Sequence, residues 1–260
     1  MNIFVFVKRV PDTESKIKIN HEKKEIVEEG LNFVLSPYDE YAVEEALRLR
    51  EAKGGRVVVF SVGSEKSIVI LKKCLAMGVD DAVLLKDDAP ESYDGLRTSK
   101  VIAKTLQTKY MDYDLLLFGR QSMGADNAQV PSMTAELLGL PQVNVVTKLE
   151  IEADRGTAER EIEGAAEKVS FSLPAVISAQ KGLNEPRYET LKGIMMAKRK
   201  EIPVLSMDDL GLSAADLAPQ LKLMGLESPP ARQAGTVIDD EPEIAAHKLV
   251  EFLREKAKVI

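Results

Sequence analysis

The chain has 260 residues, 45% hydrophobic and 30% charged, with a formal net charge of −7 and a pI near 5.2. A field of that sign repels phosphate backbones, so no nucleic-acid partner is expected. A single cysteine, Cys74, excludes an internal disulfide framework, and two histidines, His21 and His247, leave little material for a zinc site or a Ser-His-Asp centre.

No apolar run approaches bilayer length, so no transmembrane helix or membrane insertion is expected. In MNIFVFVKRVPD the apolar run precedes the charges. A secretory signal has the opposite order, so the segment reads as a mature cytoplasmic start. Residues 2–7 read as a buried strand. A hairpin is expected around 21–24. Ser36-Pro37 opens a helix, because serine is a good N-cap and proline is tolerated at the first helical position. Ala42, Val43, Ala46, Leu47 and Leu49 give that helix its apolar stripe, and Gly54-Gly55 ends it.

Residues 56–62, almost all Val and Phe, form the next expected strand, 67–77 a helix stopped by Gly78, and 79–85 a third strand. Asp94 caps a helix running to about residue 110. Residues 115–118 are a short apolar strand. Strands apolar on both faces and separated by helices make βαβ units, hence a parallel sheet covered on two sides.

After Pro141 the pattern changes. Residues 143–152 and 160–172 alternate with period two around an expected Arg155-Gly156 turn, which predicts antiparallel additions to the sheet. Residues 175–178 are another strand. From 206 to 240 the signal weakens around Pro229-Pro230 and reads as an arm or linker. A closing helix at 241–258 carries Ala245, Leu249, Phe252 and Leu253 on one face. Periodicity alone leaves open whether that face packs on its own domain or on another body. The fold class is therefore α/β, Rossmann-like, with a mostly parallel sheet, antiparallel additions and a C-terminal arm plus helix.

The loop after the fourth strand reads Gly119-Arg120-Gln121-Ser122-Met123-Gly124-Ala125-Asp126-Asn127-Ala128-Gln129-Val130-Pro131-Ser132. In open α/β sheets ligands bind beyond such carboxyl ends. Gly119 and Gly124 free the backbone to turn amides toward an anion, Arg120 offers a cation, and Gln121, Asn127, Gln129 and Ser132 offer neutral hydrogen bonds. The same spacing also fits an ordinary βα loop. Residues 180–188 mark an exposed loop before a short helix, with Leu183 a single apolar residue among polar ones. Lys192, Lys198, Arg199 and Lys200 read as a solvated helix face or a steering patch for an acidic partner. Cys74, among apolar neighbours, reads as a buried filler. No pair of carboxylates calls for acid–base work, and no residue is assigned to catalysis or to a metal.

Taken together these segments resemble the electron-transfer flavoprotein beta subunit. The likeness rests on VKRVPD at the start and on Ser36-Pro37-Tyr38-Asp39-Glu40-Tyr41-Ala42-Val43-Glu44-Glu45-Ala46. It rests also on Ala76-Met77-Gly78-Val79-Asp80, and most specifically on Leu183-Asn184-Glu185-Pro186-Arg187-Tyr188 followed by Leu191 and Lys192-Gly193-Ile194-Met195. The resemblance implies an adenine nucleotide alpha hydrolase-like fold. It implies an electron carrier rather than a stand-alone catalyst, an alpha subunit partner that shares one FAD, and either AMP or a second FAD in this chain.

The matching nucleotide positions are Val7, Lys8, Asn32 or the Ser36 region, Val62, Gly63, Gly119, Arg120, Gln121, Asp126, Asn127, Ala128, Gln129, Val130 and Thr134. The resemblance makes Leu183, Asn184, Glu185, Pro186, Arg187 and Tyr188 a docking loop for acyl-CoA dehydrogenase-like donors, with Leu183 as anchor. It further implies a quinone oxidoreductase or another acceptor downstream. Residues 1–205 become the nucleotide-binding domain, and 206–260 an arm and helix docking on the partner subunit. In that family, bifurcating members typically carry an aspartate and a glycine at Gly124 and Ala125 and a glycine at Pro131, AMP-binding members carry further acidic residues near Gly124 and Ala125, and many members have an aromatic at Thr13. At these four positions the sequence departs from the pattern.

Overall fold

The computed structural model describes residues 1–22, 24–88, 94–230 and 235–260. They divide into two compact units, Met1–Leu226 and Glu227–Ile260.

The first unit is built on a nine-stranded sheet. The chain runs through β1 (Asn2–Phe6), β2 (Arg9–Pro11), β3 (Ile19–Asn20), β4 (Glu25–Ile26), β5 (Phe33–Leu35), α1 (Pro37–Lys53), β6 (Arg56–Gly63), α2 (Ile68–Met77), β7 (Asp81–Lys86), α3 (Gly95–Thr108) and β8 (Leu115–Gly119). It continues through α4 (Val130–Leu138), β9 (Gln142–Ile151), β10 (Arg155–Ile162), β11 (Ala165–Ser172), β12 (Ala175–Ala179), α5 (Leu191–Arg199) and β13 (Val204–Ser206). The spatial order is β11-β10-β9-β12-β8-β1-β6-β7-β13. Every neighbouring pair from β9 to β13 is parallel, and β10 and β11 add antiparallel strands beyond β9. β2 and β5 pair as a separate two-stranded ribbon, and β3 and β4 form the small hairpin expected near His21.

The period-two alternation of β1 decides which side chains enter which core. Ile3, Val5 and Val7 join Val43, Leu47, Val59, Leu71 and Leu117 on one face. Phe4 and Phe6 join Phe60, Ile102, Leu116 and Phe118 on the other. Phe6 stacks between Phe60 at 5.2 Å and Phe118 at 4.7 Å, so the second core is aromatic at its centre. Burying both faces is what a parallel sheet requires.

Caps follow the sequence in part. Asp94 accepts from the amides of Leu96 and Arg97 at the start of α3. Ser36 precedes Pro37 at the start of α1, but its hydroxyl makes no capping bond. Gly78 ends α2 in the left-handed region at φ 115°.

Three details differ from expectation. Arg155-Gly156 is not a turn: both residues lie inside β10, and the strand expected at 160–172 is two strands parted by a turn at Glu163-Gly164. The glycine serves packing instead, since a Cβ on Gly156 would fall 2.4 Å from the Phe171 ring. β13 adds an unforeseen parallel edge beside β7. Residues 206–226 fold within the first unit, where Leu210, Leu212 and Leu217 are buried in the aromatic core.

The second unit contains α6 (Pro242–Glu251), which continues as a wider π-type turn, Phe252–Ala257. Its apolar residues Ile244, Leu249 and Val250 are exposed. Among the described residues no helix is long and apolar enough to cross a membrane.

Candidate functional site

β1 has β6 on one side and β8 on the other, and both pairings are parallel. The chain proceeds to β6 and β7 in one direction and to β8 and β12 in the other. The gap between β1 and β8 is thus the topological switch point, where loops leave in opposite directions and open a crevice at the carboxyl ends.

Asp39, in the first turn of α1, fills the floor of that gap. It is buried, and its Oδ2 accepts from the Lys8 backbone amide at 2.7 Å. The Gly119 amide, at the end of β8, is its second backbone donor. One carboxylate therefore ties the exits of both strands to the helix. Glycine is required at 119, since a Cβ there would lie 2.2 Å from Asp39 Oδ1 and 2.7 Å from the Asp39 amide nitrogen. Burial pushes the Asp39 carboxyl up to about 7, against the opposing pull of the Lys8 and Gly119 amides and the Lys8 ammonium. Burial likewise lowers the Lys8 ammonium, which Asp39 raises in part. Lys8 Nζ reaches Ser122 Oγ at 3.5 Å, bridging the β1 exit to the loop after β8.

That loop has an uncommon backbone. Gly124, Asp126 and Ala128 have φ of 90°, 50° and 51°, while Ala125 and Asn127 between them are not in the positive region. Alternation of left-handed with other residues is the backbone pattern from which anion-receiving nests are built, and the 124–128 segment is called the nest below. Left-handed backbone at a non-glycine residue is strained, so Asp126 and Ala128 are held there by their surroundings. Gln121 Nε2 donates to Asp126 Oδ1 at 2.8 Å, and the Asp126 amide donates to the Ser122 carbonyl.

α4 starts directly behind the nest, with Gln129 as its N-cap and Pro131 in its first turn. Three buried polar atoms around the crevice have no partner: Ser36 Oγ at the start of α1, Gln180 Oε1 just beyond β12, and Thr134 Oγ1 in α4. A buried polar atom without a partner is uncommon and fits a polar ligand that completes it.

The structure brings most of the sequence-predicted nucleotide residues to this edge. Val7 and Lys8 leave β1, Val62 and Gly63 end β6, Gly119 ends β8, and 120–130 form the nest and the start of α4. The Arg120 amide donates to the Ala179 carbonyl, which binds the loop to β12. Gln129 turns toward the start of α3, where a Cβ on Gly95 would meet its Oε1 at 3.2 Å. Asn32 stands apart: it is exposed at the far end of the β2–β5 ribbon and donates to Asp12 Oδ2 at 3.2 Å. Asp39 was missed by sequence reasoning, because an acid in a first helical turn is ordinary dipole chemistry.

The second segment, 183–188, reads differently in three dimensions. Leu183 is half-buried against the first core. Asn184 is buried and donates to the Tyr41 carbonyl and to Glu45 Oε2. Arg187 is turned inward, with its guanidinium on both Glu44 and Glu51 of α1. The residues that do face solvent are Tyr188, 94% exposed, and Leu191, 83% exposed, with Met195 one turn further on α5. Leu191 and Met195, at i and i+4 of α5, share one helix face, and Tyr188 precedes the helix.

The mount beneath is tight. A Cβ on Gly193 would lie 2.1 Å from the Ala76 carbonyl of α2, and Lys72 Nζ donates to the carbonyls of Ala197, Lys198 and Lys200 at the end of α5. Of the expected cationic patch, Lys200 pairs with Asp81 at 2.8 Å, while Lys192, Lys198 and Arg199 are exposed.

Comparison with known proteins decides the family. The electron transfer flavoprotein domain matches residues 24–210. The chain is 43% identical over 262 residues to the electron transfer flavoprotein subunit beta of Bacillus subtilis, covering all of both chains. It is 37% identical over 260 residues to the subunit beta of Syntrophomonas wolfei, covering 100% of this chain and 98% of the other. To that of Sus scrofa it is 36% identical over 249 residues, covering 95% and 96%. The chain belongs to the electron transfer flavoprotein beta-subunit family. Membership agrees with the α/β sheet, its parallel centre and its antiparallel additions.

Proposed function

We propose that this chain is the adenylate-holding and donor-docking half of a two-chain electron carrier. It pairs with an alpha subunit, helps to enclose one FAD at the joint, and relays electrons from acyl-CoA dehydrogenase-like donors to a quinone oxidoreductase or another acceptor in the cytoplasm. The flavin supplies the redox chemistry; the protein binds, orients and shields it.

The observation that carries this reading is the 124–128 nest at the switch point of a chain that matches beta subunits along its whole length. An adenylate phosphate fits the nest and the start of α4, with Arg120 as the nearby cation. The orphan oxygens of Ser36, Thr134 and Gln180 suit the polar edges of its base and sugar. The adenylate is AMP, or the adenosine end of a second FAD. Of the expected arm, residues 227–260, α6 included, are proposed to dock on the alpha subunit, with Leu249 and Val250 as apolar contacts.

For the donor, we propose the loop 183–188 with Leu183 as its anchor, extended by the exposed Leu191 and Met195 of α5. A docking face already held rigid loses little freedom on binding. The test is to co-express the chain with its alpha subunit and follow flavin reduction by an acyl-CoA dehydrogenase in a stopped-flow spectrometer. Copurification with bleaching of the flavin is expected. A chain that purifies alone and never forms a reducible complex refutes the reading.

A further inference from the structure

The exits of two adjacent parallel strands and the start of the helix that follows are the usual anion seat of an open α/β sheet. Here those parts are the Lys8 amide, the Gly119 amide and the first turn of α1. The two amides already meet at one carboxylate that the first turn of α1 itself carries, since Asp39 Oδ2 lies 2.7 Å from the Lys8 amide and Gly119 is the second backbone donor. The fit has no slack, because Gly119 approaches Asp39 more closely than any side chain would permit. The Lys8 ammonium is the cation beside it. Every component of a phosphate seat is present, and the protein's own side chain stands in for the phosphate.

The 124–128 turn is not plugged by its one acidic side chain in this way: the Asp126 carboxylate accepts from Gln121 within the loop, while the Asp126 amide donates to the Ser122 carbonyl. We propose that Asp39 is the positioning residue of the crevice, filling the seat between β1 and β8 with its carboxylate so that a bound adenylate can place phosphate only on the 124–128 nest. The Asp39 side chain already takes the two amides that a phosphate at the β1 exit would need, so no backbone donor is left for one there. The seat that a polyphosphate tail would need for reaction at β1 is therefore closed, and the crevice holds a nucleotide without acting on it. The proposal rests on the adenylate reading above.

Chemical rescue tests it, on the purified heterodimer. Asp39→Ala vacates the seat, and formate, a carboxylate small enough to enter, replaces the lost group. Two quantities are measured: release of the resident adenylate after dilution, and the heat of formate binding by titration calorimetry. In the variant, adenylate release is expected to accelerate at least tenfold. Formate is expected to slow it again by at least threefold, while chloride at equal ionic strength does not. Wild type takes up no formate. Asp39→Asn, which keeps the volume of the side chain, is expected to release adenylate faster but not to respond to formate, because its seat remains filled.

Equal effects of formate and chloride on Asp39→Ala, or formate binding by wild type, overturn the proposal. If Asp39→Ala fails to assemble, faster release from Asp39→Asn supports the proposal and unchanged release overturns it. A heterodimer with no adenylate at all defeats the underlying reading instead, and the formate calorimetry still judges whether the seat exists.

Discussion

Gly119→Ala is the sharpest single perturbation of the crevice. The added methyl would lie 2.2 Å from Asp39 Oδ1, 2.7 Å from the Asp39 amide nitrogen and 2.7 Å from the Tyr38 carbonyl carbon. Two of those three atoms are backbone in the first turn of α1, so no rotamer change relieves them. Overpacking of this kind costs about 1–3 kcal/mol. Prising α1 from β8 also lengthens the bond from the Gly119 amide to the carboxylate, and bonds to charged groups contribute about 1.5–3 kcal/mol. The sum is about 3–5 kcal/mol, which lowers the melting temperature of a domain of this size by roughly 10 °C or more.

Gly124→Ala is the control. A Cβ there meets nothing within 4 Å, and only the left-handed φ of 90° is penalised, by about 1 kcal/mol. The assay is thermal unfolding of the heterodimer followed by circular dichroism, with adenylate content measured in parallel. Gly119→Ala should fall much further in melting temperature than Gly124→Ala. Equal shifts in the two variants would refute the claim that α1 and β8 are locked together at Asp39.

Leu183→Ala should weaken reduction by the dehydrogenase and leave the heterodimer's flavin content intact, at a stability cost of about 1–2 kcal/mol because the side chain is half-buried on the core. Leu191→Ala should change stability by less than about 0.5 kcal/mol and yet weaken donor docking about tenfold or more, read as KM for the dehydrogenase. Lost flavin content in Leu183→Ala would make that residue structural instead. Arg187→Lys keeps the charge but loses the planar fork on Glu44 and Glu51, and should lower the urea midpoint by an amount equivalent to about 1–3 kcal/mol with an unchanged slope; no change would mean the fork holds nothing. For pH, burial raises the Asp39 carboxyl from 3.8 to about 7, so the folded chain binds that proton more tightly than the unfolded one. Its contribution is full below 3.8 and is lost as pH rises to about 7. The stability of wild type minus that of Asp39→Asn should fall over that window and level off above it; a difference that grows contradicts the assignment.

The parallel centre of the fold was legible because its strands are apolar on both faces and its helices carry clear stops. β1, β6 and β8 and the endings at Gly54 and Gly78 need only local chemistry. Gly156 misled because a glycine between two alternating runs looks like a turn, whereas its purpose is to make room for Phe171 on the neighbouring strand. β13 is three residues long and owes its place to pairing with β7, which no local pattern announces.

The nucleotide loop was recognisable by its glycines and its position after a strand. The positive φ values at Asp126 and Ala128, which make the nest, have no signature in residue type. Asp39 was hidden among 42 acidic residues, because its meaning comes from two amides, one 31 positions before it and one 80 after. The docking segment shows the same limit: Leu183 and Leu191 are alike in sequence, and only packing separates the half-buried one from the exposed one.

The most direct test of the central claim is a count of flavin and adenine nucleotide extracted from the copurified heterodimer. Two adenylate groups per heterodimer are predicted, at least one of them belonging to FAD: one FAD with one AMP, or two FAD. A single adenylate group, carried by one FAD and seated wholly in the alpha subunit, would contradict the account.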